Sequence, residues 1–301
     1  MKFSAWIALS RPAFHVVGVL PFVLGGLLAW RQAEVFRWDI FAWGTVGVVL
    51  VMMTTYFAGE YWDYAEDALS ARTGSSRFSG GSQVLQRGFL PRKVALWSAL
   101  GSMLFAVAVG LILQLGYQTG LWTIVFGVIG ILGGFFYSAR PIRWVSRGLG
   151  EVWIAFCYGW LPVAVGYYLQ TAQIIPLIHW LAAPIALTIF NVILLNEFPD
   201  YQADLAAGKT NLTVRLGREQ ASRLYGLVTL MSWVTMMLSL NRGVPTRVLW
   251  FYVPIQIISL VLIALVMSRR WLNQETLEKL CAANLLVNVG TTATYIFAFA
   301  G

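Results

Sequence analysis

The residues of this chain that could do chemistry are mostly acids, and they come in two copies. Gly59-Glu60-Tyr61-Trp62-Asp63-Tyr64-Ala65-Glu66-Asp67 and Asn196-Glu197-Phe198-Pro199-Asp200-Tyr201-Gln202-Ala203-Asp204 superpose at one constant offset. Glu60 meets Glu197, Asp63 meets Asp200, Tyr64 meets Tyr201 and Asp67 meets Asp204, and the register runs on through Arg72 with Lys209 and Thr73 with Thr210. A fixed offset that keeps this many reactive residue types marks an internal repeat. In each copy the acids recur at i, i+3 and i+7, a spacing that places them on one face of a helix. Two such faces brought together would repel, and their carboxylates would resist ionisation. A divalent cation relieves that repulsion. Oxygen-only donors select Mg²⁺ or Ca²⁺, and Mg²⁺ binds through a few carboxylates together with substrate phosphates. Arg72 and Lys209, just downstream, can take remaining phosphate charge. One such cluster is as readily a solvated helix end; two at one offset, among only 13 acids in the chain, point to a site.

The elements that must position these acids are membrane helices. Of 301 residues, 58% are hydrophobic and 11% charged, where a soluble domain carries about 25% charged residues. A bilayer crossing takes about 20 apolar residues. Nine stretches qualify: Ala13–Trp30, Ile40–Tyr61, Val94–Leu115, Gly120–Phe136, Val152–Leu169, Leu177–Leu195, Leu224–Leu240, Leu249–Met267 and Ala282–Ala300. They are too long and too continuously apolar for barrel strands. The expected fold is therefore an all-α, polytopic membrane bundle of about nine transmembrane helices, forming one integral membrane domain over residues 1–301. No small-residue cleavage site follows the first stretch, which is kept as a helix. The two acidic segments close the second and sixth stretches. Four helices is an even step, so the repeat is parallel and both clusters fall at one membrane face. Cys157 and Cys281 lie in or beside apolar stretches and read as unpaired structural thiols.

The net charge of +8 does not indicate nucleic acid. With nine crossings, every Lys and Arg except Arg31, Arg37, Arg242 and Arg247 falls on the side of the N-terminus. Basic loops mark the cytoplasmic side, so the N-terminus and the acid-bearing loops are expected there, in a multi-pass protein of the cell membrane. The acids share this side, apart from Glu34 and Asp39.

These residues resemble the UbiA-type intramembrane prenyltransferases, whose two aspartate-rich motifs, N-x-x-x-D-x-x-x-D, lie at the cytosolic ends of helices 2 and 6. The second motif is intact here as Asn196, Asp200 and Asp204; in the first, Gly59 replaces the Asn while Asp63 and Asp67 match. Glu60 and Glu197 stand where Asp or Asn is common. Within the family the chain is most similar to the branch that prenylates 1,4-dihydroxy-2-naphthoate for menaquinone. Its most specific stretch is Asp200 to Gly217, DYQADLAAGKTNLTVRLG, in which Asn211-Leu212 stands where a Thr-Leu pair is usual. Arg147-Gly148-Leu149-Gly150-Glu151 and Arg11-Pro12 match as well, and the likeness extends over essentially the whole chain. Residues Ser75 to Ser82 replace the usual loop sequence.

The resemblance implies a mechanism. Two Mg²⁺ ions would join Asp63, Asp67, Asp200 and Asp204, with Asn196 and the neighbouring Glu60 and Glu197, to a polyprenyl diphosphate. Arg72, Lys209 and Arg215 would neutralise it, with Arg77, Arg147 and Arg11 as further candidates. Ionisation would give an allylic cation inside an apolar cavity, where an aromatic acceptor attacks it; in the naphthoate branch the ring carboxylate is lost. A dry site is required, and the Gly80-Gly81 loop is a candidate lid. Tyr137 matches a cavity-lining position. His15, four residues beyond Arg11 on the same face, is a candidate cavity residue or a neutral hydrogen-bonded one, and His179 reads as structural. Hydroxybenzoate, homogentisate, a porphyrin-type ring or a glycerol-phosphate lipid are alternative acceptors. A secondary transporter would instead place its acids near the midplane, between broken helices.

Overall fold

A computed structural model describes residues 2–73 and 76–301. The side chains of Lys2 and of Thr73, matched above to Thr210, and Ser75 of the divergent loop lie outside the described residues. The described chain is helical throughout, with no strand: α1 (Lys2–Ser10), α2 (Val16–Ala33), α3 (Trp38–Trp62), α4 (Tyr64–Thr73), α5 (Arg92–Leu111), α6 (Trp122–Ser138), α7 (Gly150–Ala155), α8 (Leu161–Thr171), α9 (Pro176–Ala206), α10 (Leu212–Leu240), α11 (Val248–Met267) and α12 (Gln274–Ala300). A π turn at Phe156–Trp160 joins α7 and α8 into one span, and another, Ile112–Gly116, extends α5. Among the described residues eight spans are long and apolar enough to cross a membrane, and α6, with 17 residues, is a shorter ninth apolar helix. This is the expected polytopic bundle.

Several elements run past the apolar stretches that announced them. α9 continues to Ala206, α10 begins at Leu212 and α12 at Gln274. Helical hydrogen bonding does not stop where hydropathy does; it stops at caps. Asn211 and Asn273 provide them, accepting from Val214 N and Thr276 N, each at 2.9 Å. The first helix is the reverse case. It starts at Val16, behind a 3-10 turn over Pro12–Phe14, and a separate helix, α1, precedes it.

The parallel repeat is visible in the packing. α3 packs on α5 as α9 packs on α10, and α2 crosses α8, the equivalent helix of the other half. That crossing is close because it is glycine to glycine. A methyl on Gly25 would overlap Val163 O, and one on Gly166 would overlap Phe22 O. Small residues allow such approach where lipid provides no hydrophobic drive between helices. α12 closes the bundle against α9, α11 and α2. Buried amides tie it there: Asn284 Nδ2 donates to Asn191 O (2.8 Å), and Asn288 Nδ2 to Thr188 Oγ1 (2.9 Å).

The two acidic segments differ in backbone. The second is one continuous helix face at the end of α9. In the first, α3 ends at Trp62 and Asp63 is its C-cap (φ −91°, ψ 14°), before α4 begins at Tyr64. The shared-face spacing expected of both copies thus holds in α9 alone. The bend at Asp63 carries α4 onto α9, where the two pack together.

Candidate active site

The convergence of α3, α4 and α9 puts both acidic segments around one cavity of about 220 Å³. Glu60, Asp63 and Asp67 line it from one side, and Asn196, Glu197, Asp200 and Asp204 from the other. Thr55, Ile154 and Tyr158 are shared with a second, apolar cavity of about 120 Å³ that runs into the bundle between α3, α5, α6 and α8. Tyr158 belongs to the π turn, a distortion frequent at functional sites. The acids gather at one end of the bundle, and this deeper cavity holds none.

Each carboxylate has its own setting. Asp63 accepts from Ser138 Oγ (2.5 Å) and pairs with Arg143 (3.3 Å), which also grips Glu66. Burial pushes the Asp63 carboxyl above its usual range, although Lys209, Ser138 and Arg143 favour the ionised form. Asp67 has no ion-pair partner among the described residues. Burial, then the charges of Asp63, Glu60 and Asp200, raise its carboxyl well above the usual range. Asp204 pairs with Lys209 Nζ (3.2 Å) and accepts from Asn211 Nδ2 (2.7 Å). Burial alone would lower the Lys209 ammonium pKa, but Asp204, Asp63 and Asp200 raise it, so Lys209 stays charged.

Asn211 explains its own substitution. Its Oδ1 caps α10 while its Nδ2 holds Asp204, so one side chain fixes a helix start and an acid together. Two buried glutamates complete that anchorage. Leu212 N donates to Glu151 (2.7 Å) and Thr213 N to Glu197 (3.2 Å). These amides at a helix N-terminus have no carbonyl partner within the helix and favour negative charge.

The segment after residue 75 straps the cavity mouth. Arg77 N donates to Glu278 (3.0 Å), Gly80 N to Asp200 (2.9 Å), and Ser82 N and Oγ to Glu60 (2.6 and 2.8 Å). Ser70 Oγ also donates to Asp200. Gly80 and Gly81 both have positive φ (70° and 66°), and a Cβ on Gly81 would overlap the Asp67 carboxylate.

Of the candidate cations, Lys209 and Arg11 line the cavity, and Tyr137 lines it too. The other candidates lie elsewhere. Arg72 is exposed and lines no described cavity. Arg147 donates to Pro141 O (3.1 Å) and Ile142 O, and Arg215 to Thr210 O (2.8 Å), so both guanidiniums brace loop carbonyls. Arg77 faces a neighbouring vestibule. His15 shares its Nε2 with Ser10 O (3.0 Å); burial lowers its pKa, and it takes the neutral hydrogen-bonded role. His179 Nδ1 accepts from Trp160 Nε1 (2.9 Å) and stacks on that ring.

The comparisons with known proteins bear on this geometry. A model of the UbiA prenyltransferase family matches residues 19–289. The chain belongs to that family. Among curated relatives, a 1,4-dihydroxy-2-naphthoate octaprenyltransferase of Mycobacterium tuberculosis is 30% identical over 245 residues, covering 79% of each chain. One of the same name from Escherichia coli is 25% identical over 243 residues, 78% of this chain and 76% of that one. The structure of a UbiA homolog from Archaeoglobus fulgidus bound to DMAPP and Mg²⁺ superposes with a TM-score of 0.67 over 96% of this chain and 99% of that one, at 15% identity. This UbiA family chain is thus a multi-pass prenyltransferase, and the structural likeness establishes its fold.

The donor set suits a divalent cation. Asn196 Oδ1 is buried and has no hydrogen-bond partner, a loss that burial makes expensive. It lines the cavity with Asp63, Asp67, Asp200 and Asp204. Among the described residues no group of three or more His, Cys, Asp or Glu side chains is drawn together to hold a metal ion by itself. The chain presents an open, oxygen-only half-site, which suits an ion that completes its shell with phosphate oxygens and water.

Sequence reasoning missed Arg143, counted only among the basic loop residues. It also missed Ser138, the anchoring role of Glu151, which it matched only as part of a motif, and the doubled role of Asn211. Their signal is tertiary, since each acts on a residue at least seven positions away.

Proposed function

We propose that this prenyltransferase moves a polyprenyl group from a polyprenyl diphosphate to 1,4-dihydroxy-2-naphthoate, in the menaquinone pathway, at the cytoplasmic face of the cell membrane. One observation carries the proposal: two acidic segments and Lys209 surround a polar cavity that opens on an apolar one. That shape fits an amphiphile with an anionic head and a long hydrocarbon tail. The relatives of that name support the acceptor.

In this reading Asp63, Asp67, Asn196, Asp200 and Asp204 hold Mg²⁺. Bound there with the diphosphate, Mg²⁺ neutralises the leaving group. Lys209 and Arg11 add positive charge on the cavity wall. The tail lies along Thr55, Ile154 and Tyr158 into the apolar cavity. The bond between the prenyl carbon and the diphosphate oxygen breaks, and the ring carbon bearing the carboxylate attacks the allylic cation. CO₂ departs from that carbon, its bonding electron pair returns to the ring and restores the aromatic diol, and no net proton is released. The faces of Tyr56, Tyr137 and Tyr158 favour a nearby cation. The strap from Arg77 to Ser82 excludes water that would otherwise capture it.

The test is direct. Detergent-purified protein is incubated with Mg²⁺, polyprenyl diphosphates of several lengths and a panel of aromatic acceptors, and the products are weighed by mass spectrometry. The expected product is the prenylated, decarboxylated naphthalenediol, with near-complete loss of turnover in Asp63→Asn and Asp200→Asn. Full activity in both variants, or in excess chelator, refutes the mechanism; another prenylated acceptor would replace the naphthoate.

A further inference from the structure

Beside the reaction cavity lies a larger opening of about 900 Å³, formed where the start of α12 faces Ala8–Phe14 and the strap. It shares Arg11, Phe14, Phe78 and Gly81 with the reaction cavity. Phe14 and Phe78 meet edge to face across that boundary, with ring centres 6.3 Å apart. The Arg11 guanidinium lies 4.7 Å over the Phe14 ring.

The two spaces differ in charge. The reaction cavity carries six carboxylates from the two acidic segments against Lys209 and Arg11. The vestibule carries Arg11, Arg77, Arg87 and Lys279 against Glu275 and Glu278. Lys279 is paired with Glu275 (2.6 Å), and Glu278 accepts the Arg77 backbone N–H. The guanidiniums of Arg11, Arg77 and Arg87 have no ion-pair partner among the described residues. Arg77 and Arg87 are exposed. They present positive charge to water and are not consumed by the fold.

We propose that this vestibule is the port for the carboxylated aromatic acceptor, captured by Arg77 and Arg87 and passed to the reaction cavity between Phe14 and Phe78. The inference rests on the donor and acceptor assignment above and adds a route and a recognition site. The two substrates are physically unlike. The donor's tail needs a path continuous with apolar space, which lies on the far side of the reaction cavity. A small aryl carboxylate arrives from water, and an unscreened approach to the acidic cavity would repel it. A cationic port offsets that repulsion and concentrates the anion. Phe14 and Phe78 touch edge to face, so a flat solute passes when one ring swings aside, and either ring offers it a face to stack on. Arg77 and Arg87 thus act on the acceptor's carboxylate, and Arg77 does not reach the diphosphate.

The experiment compares the parent with Arg77→Glu/Arg87→Glu and with the charge-preserving Arg77→Lys/Arg87→Lys. Binding of 1,4-dihydroxy-2-naphthoate, and of the carboxylate-free 1,4-naphthalenediol, is titrated by fluorescence without donor at low and moderate salt. The Michaelis constants for acceptor and donor are measured in parallel. The expected result is at least a tenfold weakening of naphthoate binding, and a matching rise in its Michaelis constant, in the Glu pair. The Lys pair stays near the parent, and naphthalenediol binding and the donor constant hold steady. Added salt weakens naphthoate binding to the parent and much less to the Glu pair. Unaltered naphthoate binding in the Glu pair overturns the port, as does a parent that binds no aryl carboxylate. A donor constant that rises in step assigns these arginines to the diphosphate instead. If the naphthoate effect appears but no prenylated product forms with any donor, the function proposed above fails and the anion port stands.

Discussion

Gly81→Ala and Gly88→Ala form a matched pair that isolates the placement of one carboxylate. Both glycines lie between α4 and α5, at nearly the same left-handed φ, 66° and 72°. The backbone penalty for an added Cβ is therefore the same at each, about 1–2 kcal/mol. Their surroundings differ. At Gly88 nothing lies within 4 Å of the new methyl, whereas at Gly81 it overlaps the Asp67 carboxylate. Asp67 must then move, or the strap must lift from Asp200 and Glu60. A displacement of about 1 Å at a reacting constellation can lower turnover about a hundredfold. The expected outcome is a modest loss of thermal stability in Gly88→Ala and a larger one in Gly81→Ala, with turnover near the parent level in Gly88→Ala and down about a hundredfold in Gly81→Ala. Melting in detergent and steady-state prenyl transfer read the two quantities separately. Equal turnover in the two variants would show that the strap does not set the Asp67 position, and the active-site reasoning would fail there.

Two further outcomes follow from the same contacts. Asn211→Ala removes the cap of α10 and the donor to Asp204, so stability falls by about 1 kcal/mol and the Mg²⁺ concentration for half-maximal activity rises; Asn211→Thr, with a hydroxyl that can cap, recovers the stability, and an unchanged Mg²⁺ requirement in Asn211→Ala would contradict the link to Asp204. The Asp63 and Asp67 carboxyls are raised by burial, and Asp67 also by neighbouring acids, so in chelator the folded chain keeps protons that the unfolded chain has released. The stability they confer is full below the ordinary carboxylate value of about 4 and is lost as pH rises through the folded values. Mg²⁺ is expected to flatten that decline, and stability that rises with pH from 4 to 7 in chelator would show that these acids are not so placed.

Much of the architecture was legible because lipid leaves the backbone few choices. Apolar stretches located the spans, and the offset between the two acidic segments announced a parallel repeat that α3, α5, α9 and α10 then display. The site was legible by residue type: Asp63, Asp67, Asn196, Asp200, Asp204 and Lys209 do surround one cavity. Nearest-neighbour reasoning failed for the arginines. Arg72, Arg147 and Arg215 lie close in sequence to the acids, yet loop carbonyls or water claim them. Arg143, 80 residues from Asp63, reaches it instead.

Hydropathy and residue type are properties of the chain, and they determined the membrane, the helices and an acidic repeat with an appetite for a divalent cation. Which cation faces which acid was decided only in three dimensions. The break at Asp63 turns α4 across α9, and loop backbone amides compete with side chains for the same carboxylate oxygens. Such competition is settled by distances of a few ångströms between segments far apart in sequence, because hydrogen bonds and buried charges act only at that range.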